Sequence, residues 1–274
     1  MIRKPIVLST FFIAMTAVIS TSAVAADAAK SSVSVGIDMT SAPLYEGSSS
    51  YSVLPLPAFK AVGVTDNWGV FTASLPDGLR WDLPVSDVFG VALLSHYDAG
   101  RKDKIRTLNG KNSRLKGMGN LDGTMMAGLE LSVNYDPFRG FVRGFKAVSD
   151  RDYGGEDLGH TGYIDAGVGS VFPLTQTVSM EVETYATWAD REEMMSRFGV
   201  TRKQAARSQF HEYKVGGGLK SVSLEMGLNW QQSEHITFSG GAGLKGFTSS
   251  DVRDSPITEK NVDGSIYLST MYTF

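Results

Sequence analysis

The sequence predicts an all-β fold: a transmembrane antiparallel β-barrel of the outer membrane, about 12 strands, preceded by a cleaved signal peptide. Three observations carry that expectation. Long stretches alternate apolar and polar residues with a period of two. They run about 9 to 13 residues, which suits a tilted membrane strand better than the 5 or 6 usual in soluble sheets. Long and short connections also alternate along the chain, as outer loops and periplasmic turns do in such barrels.

Residues 1–26, MIRKPIVLSTFFIAMTAVISTSAVAA, read as the signal peptide. Arg3 and Lys4 are its basic start, an uncharged apolar run follows from Ile6 to about Ile19, and Ala23, Ala25 and Ala26 are the small residues a signal peptidase needs. The run is short for a membrane span of about 20 residues. Cleavage after Ala25 or Ala26 is expected, leaving 27–274 as the barrel domain.

Alternation is strictest at 221–231, where Val222, Leu224, Met226, Leu228 and Trp230 oppose Ser221, Ser223, Glu225, Gly227, Asn229 and Gln231. The same pattern recurs at 126–135, 178–188 and 236–246, and at the C-terminus, where Ile266, Leu268, Tyr272 and Phe274 oppose Ser265, Ser269 and Thr273. The expected strands are 33–41, 52–63, 67–75, 79–85, 87–98, 124–135, 138–148, 161–171, 176–188, 220–231, 236–247 and 262–274. With the first strand rising from the periplasm, the outer connections are 42–51, 76–78, 99–123, 149–160, 189–219 and 248–261. The pair spanning 67–85 is either a tight hairpin at Leu75–Gly78 or a kinked single strand. Tyr135, Phe138, Phe172, Trp188, Trp230, Phe247, Tyr272 and Phe274 gather at strand ends, as aromatic girdles do. One segment, 191–208, departs from β character; Thr201 and Gln204 form a capping-box pattern and predict a short helix at about 202–208.

The chain has no cysteine, which excludes disulfides and thiolate metal sites. A net charge of -3 gives no electrostatic case for nucleic acid. The mean hydropathy of -0.08 would suit a soluble protein, but alternating strands average to the same value. GAGLKG at 241–246 matches a dinucleotide-binding pattern, yet no helix pattern follows it, so its glycines read as small residues in a crowded wall. His96, His160, His211 and His235 fall at a strand end, in two outer loops and in a periplasmic turn. A surface dyad of His160 or His211 with Asp157 or Glu212 is the nearest approach to a catalytic pair, and Asp150, Asp152, Glu156 and Asp157 the nearest to a calcium site. The acids match no EF-hand spacing and the dyad residues read as ordinary exposed loop side chains, so no catalytic, cofactor-binding or metal residue is assigned, and the protein is expected not to be an enzyme. On the lumen face Glu130, Asp165, Glu181, Glu183 and Glu225 are expected to pair with Arg139, Arg143 and Lys245 across the barrel, leaving it narrow.

Two segments carry a resemblance. YEGSSSYSVLPLP at 45–57 and FGVTRKQAARS at 198–208 are similar to motifs of the MipA/OmpV family of outer-membrane proteins, and GLKSVSLEM with the turn QSEH and the aromatic terminus resembles that family's C-terminal third. The resemblance implies a scaffold without cofactor that bridges a murein-degrading lytic transglycosylase and a murein-synthesising penicillin-binding protein on the periplasmic side of a Gram-negative outer membrane. A narrow solute channel and an adhesin using the basic stretch 99–123 are the alternatives. The last strand is expected to close the barrel against the first, with Phe274 recognised by the barrel-assembly machinery.

Overall fold

The computed structural model describes residues 30–107 and 110–274; the expected signal peptide lies outside them. The strands are β1 (Ser32–Pro43), β2 (Tyr51–Thr65), β3 (Gly69–Leu75), β4 (Gly78–Leu83), β5 (Phe89–Asp98), β6 (Ile105–Thr107), β7 (Gly110–Asn112), β8 (Thr124–Tyr135), β9 (Phe138–Ala147), β10 (Gly162–Pro173), β11 (Val178–Ala189), β12 (Gly218–Gln231), β13 (Ile236–Phe247) and β14 (Val262–Thr273). All but β6 and β7 close one barrel of twelve antiparallel strands, each beside its chain neighbour. β6 and β7 form a separate two-stranded hairpin inside the 99–123 connection.

Closure comes from β14, whose register on β1 runs from Ser34↔Thr273 to Ser41↔Ile266. The Phe274 amide donates to the Val33 carbonyl at 3.0 Å, so the terminal residue is tied into the ladder. Along this seam the ladder leaves no strand edge to expose in lipid.

The period-two pattern becomes two surfaces. Ile37, Leu131, Leu228, Leu244, Ile266 and Leu268 all point outward, each half or more exposed. A contiguous apolar belt of this extent is too large for a soluble monomer and is the wall that a membrane barrel turns to lipid. Inward positions are small, polar or charged for the most part, with large side chains such as Phe141, Phe145 and Tyr185 among them. Lumen glycines make room for large neighbours: a Cβ at Gly128 would lie 2.5 Å from the Phe145 ring, and one at Gly241 2.5 Å from the Tyr267 ring. That is the use of the first glycine of GAGLKG.

Phe247 departs from the expected girdle. It is 4% exposed and meets Phe198 edge to face at 5.4 Å, inside the packed outer end. The expected helix at 202–208 is shorter, α2 (Arg202–Ala205), and follows a longer one, α1 (Arg191–Phe198). The Thr201 capping box forms: the Thr201 hydroxyl accepts from the Gln204 amide, and the Gln204 side chain accepts from the Thr201 amide. Asp190 caps α1 in the same way by accepting from the Glu193 amide at 2.8 Å. Asp190 and Glu193 carry the same spacing signal as Thr201 and Gln204, so α1 was legible too. A third short helix, α3 (Ser250–Arg253), lies in the last outer connection.

Candidate functional site: a capped, charge-lined lumen

The long outer loops do not splay into solvent. They fold together into a cap with its own core, in which Leu44 and Tyr45 from the first loop meet Ile105, Leu115, Met118 and Leu121 from the second. Tyr153, Val200, Phe210 and Ile257 from the other three long loops join the same cluster. A second cluster, with Met194, Phe198, Val215, Phe247 and Val252, seats α1 on the barrel rim.

Beneath this core lies a layer of buried charge. Arg151 is fully buried; it donates to Asp98 at 2.9 Å and stands 3.7 Å from Glu193. Arg197 of α1 pairs with the same Asp98 and with Glu193 at 2.8 Å. Arg101 donates to the Tyr153 hydroxyl and to the Arg197 carbonyl. Burial opposes the charge on Arg197, but Asp98, Glu193 and Glu46 outweigh it and hold its pKa above the ordinary value. These pairs pin α1 to the mouth of β5.

The loop between β1 and β2 is clamped separately. Glu46 accepts from Lys245 at 3.1 Å and from Lys220 at 3.3 Å, both on the inner wall. Burial alone would raise the Glu46 carboxyl; Lys220, Lys245 and Arg197 hold it well below the usual carboxylate range instead. A cavity of about 130 Å³ lies under the cap, lined among others by Glu46, Asp98, Arg197, Lys220, Lys245 and Asp263.

Deeper in the lumen, a belt of ion pairs runs round one side of the wall. Arg143 donates to Asp165 at 3.1 Å and to Glu183 at 3.0 Å. Glu130 accepts from Arg80 at 2.9 Å and from Arg139. Arg143 and Glu130 are each 1% exposed, so both charges are packed within the lining of the wall. The Arg143 guanidinium also lies over the Phe141 and Tyr185 rings, at 4.7 and 5.0 Å.

These contacts revise the expected pairing. Glu130, Asp165 and Glu183 do pair with Arg139 and Arg143, but between strands one or two places apart rather than across the barrel, because a side chain spans the roughly 4.8 Å between adjacent strands easily. Lys245 pairs with Glu46 of the loop instead of a strand acid. Glu181 accepts from Asn229 and Glu225 from the Tyr185 hydroxyl. Arg80, absent from the expected set, is a member because its short strand places it two strands from Glu130.

Of the histidines and acids weighed in the sequence, His160 and Asp150 meet at the surface, and the named dyads with Asp157 and Glu212 do not form. His96 points into the lumen against Phe145, ring centroids 4.7 Å apart. His160 faces Asp150 at 3.3 Å rather than Asp157, and Glu212 lies 3.7 Å from Lys214. His211 packs edge-on against Tyr213, and His235 stacks on Tyr272 in a short turn. Asp152 and Asp157 accept from the loop amides of Gly155 and Gly159, and Glu156 lies 3.7 Å from Lys203. Among the described residues no group of three or more His, Asp or Glu side chains could hold a metal ion. Of the basic stretch 99–123, Arg101 and Arg114 are spent inside the cap, Arg114 on Glu259 at 3.3 Å, while Lys102, Lys104, Lys111 and Lys116 remain exposed.

The model of a family described as MltA-interacting protein MipA matches residues 35–274. The chain belongs to that family. The MipA match covers every barrel strand except the first residues of β1. A comparison with curated proteins found no match. Among solved structures, the chain is similar to the translocator domain of the autotransporter NalP from Neisseria meningitidis, at 9% identity and a TM-score of 0.48, covering 91% of this chain and 90% of that one. It is also similar to the NanC porin, at 11% identity and a TM-score of 0.43, covering 86% and 98% respectively. At these identities and scores neither likeness bears on function.

Proposed function

We propose that this MipA-family protein is an outer-membrane β-barrel of a Gram-negative envelope that acts as a non-enzymatic scaffold. On this reading it holds a lytic transglycosylase, and with it a penicillin-binding protein, at the periplasmic rim. The observation that carries the reading is the cap folded from five outer loops over the lumen, above a wall lined by the Arg143–Asp165–Glu183 and Arg80–Glu130–Arg139 ion pairs. A barrel whose outer mouth is roofed by its own loops is a membrane-anchored body whose usable surfaces are its two rims. The description of its family as interacting with MltA supports a partner of that kind. At the short-turn rim Trp68, Tyr135 and Phe274 are 64%, 81% and 74% exposed, large side chains suited to anchoring a partner or seating the rim at the headgroups. Phe274 is also the residue offered to the barrel-assembly machinery during insertion.

Photocrosslinkers placed at Asp66, Asp136 and Ser233, in three of the short turns, test the scaffold in intact cells. Capture of a murein hydrolase or synthase is the expected result; capture of none from any of the three positions refutes it. The channel reading is favoured by the cavity beneath the cap. Discrete planar-bilayer openings that change on replacing Glu181 or Arg143 would establish that reading instead.

A further inference from the structure

The barrel wall is incomplete at one place. β3 has seven residues and β4 six, whereas every other barrel strand has ten or more. At about 3.4 Å per residue and a tilt near 40°, a seven-residue strand climbs roughly 18 Å, short of the roughly 25 Å apolar band of such barrels. The turn between them therefore ends inside the band, and Leu75 and Leu79 beside it are 58% and 59% exposed. β2 meets β3 only from Phe59 downward, at Phe59↔Leu75, so 51–58 has no strand on that side. β5 bounds the gap opposite, and the 99–123 loop roofs it, since Asn112 reaches Ser50 at 3.2 Å.

The free edge of β2 carries its own chemistry. The Phe274 amide bonds the Val33 carbonyl of β1, so odd-numbered β1 residues point their main-chain groups at β14 and even-numbered ones at β2. In the β1–β2 register, Asp38↔Leu56 and Thr40↔Leu54 are then the bonded pairs, and odd-numbered β2 residues face the gap. Two of these are Pro55 and Pro57, which have no N–H. The edge thus lacks two donors that a docking strand, from a partner or a second copy, would need. Behind it the lumen face turns apolar: Leu54 and Leu56 are half-buried on β2, and Leu94, Met126 and Phe145 cluster on the far side of the gap. A small crevice opens behind the turn, with Leu79, Leu94 and Phe145 on its apolar side and Asp77, Glu130 and Arg143 on its polar side.

We propose that this gap is a lateral window through which an acyl chain of an outer-leaflet lipid reaches the lumen beneath the cap. Hydrocarbon asks for no hydrogen bond from the proline-bearing edge and matches the leucines on both sides. The window depends on the membrane reading of the barrel and not on the scaffold role.

The native absence of cysteine makes single-cysteine spin labels a clean test on the full chain in phosphatidylcholine vesicles. Labels go on Leu54→Cys and Leu56→Cys, with Val53→Cys as the lipid-facing reference and Ser239→Cys as the lumen reference. Molecular oxygen concentrates in hydrocarbon and a nickel chelate stays in water. The expected result is oxygen collision at positions 54 and 56 within about twofold of position 53 and several-fold above 239, with little nickel access. Labels at 54 and 56 that behave like 239 overturn the window. Spin–spin broadening at 53 overturns it too, since a second copy then occupies the edge. Heat-modifiable migration confirms that each variant is folded, and the two leucine positions serve as independent variants. If position 53 itself shows water access, the membrane reading fails, which is a different result from loss of the window alone.

Discussion

Arg143→Met removes the keystone of the lumen belt while keeping side-chain length and bulk. The arginine is 1% exposed and holds two carboxylates, Asp165 at 3.1 Å and Glu183 at 3.0 Å. Asp165 keeps one donor after the change, the Thr187 hydroxyl at 2.7 Å. Glu183 has no second ion pair and is left facing the like charge of Glu225, its register partner on the adjacent strand. Breaking a buried pair by removing one partner costs about 3 to 5 kcal/mol, and the lower end applies because Glu183 retains some exposure, 19% of its side chain. A loss of about 3 kcal/mol lowers the folded-to-unfolded ratio by roughly 150-fold. Urea unfolding in lipid vesicles, followed by tryptophan fluorescence, measures it. Adding Asp165→Asn and Glu183→Gln to Arg143→Met removes the orphaned charges, and stability is expected to return to within about 1 kcal/mol of the parent. A single-variant loss below about 1 kcal/mol, or a triple variant as unstable as the single, refutes the reasoning that uncompensated charge is what the belt controls.

Three other outcomes follow from the same structure. Leu224 is 41% exposed on the outer wall and Ser223 is 2% exposed on the inner one, so Leu224→Arg is expected to cost roughly 2 to 4 kcal/mol in vesicles and Ser223→Arg less; equal losses in urea titrations contradict the facing assignment. Because the Glu46 pKa is depressed in the folded protein, its clamp contributes fully at pH 7 and down to the ordinary carboxylate range near 4.5, and is lost only as pH falls below that toward the folded value. Glu46→Gln strands Lys220 and Lys245, so protease cutting in the 44–50 loop should rise at neutral pH and lose its acid dependence, a profile that limited proteolysis reads directly. Phe198 is fully buried in the cap, and Phe198→Ala is expected to cost about 3 to 5 kcal/mol there, seen as faster hydrogen exchange across 190–217 with unchanged exchange in β8 and β9.

The alternation of Val222, Leu224, Met226, Leu228 and Trp230 was enough to place β12 and its facing, because a barrel sorts side chains by parity alone and lipid enforces the choice. The same local rule located the other barrel strands and resolved the Leu75–Gly78 question only as far as two alternatives; pairing of Phe59 with Leu75 and of Ser74 with Gly78 made it a hairpin. Capping patterns, also local, held both α1 and α2. What no local pattern held was the destination of the loops. Leu44, Ile105, Tyr153, Phe210 and Ile257 lie in five different connections, and only closure of the barrel brings their strand ends round to one rim. The partner of Lys245 is Glu46, nearly two hundred positions away, and the partner of Arg143 depends on register between strands. The sequence by itself determined the strands, their facing and the closing role of the last strand, 262–274. The tertiary structure alone decided that the outer loops gather over the lumen, which charges pair beneath them and where the wall stands open, because those depend on side chains made neighbours by the circle of strands and not by the chain.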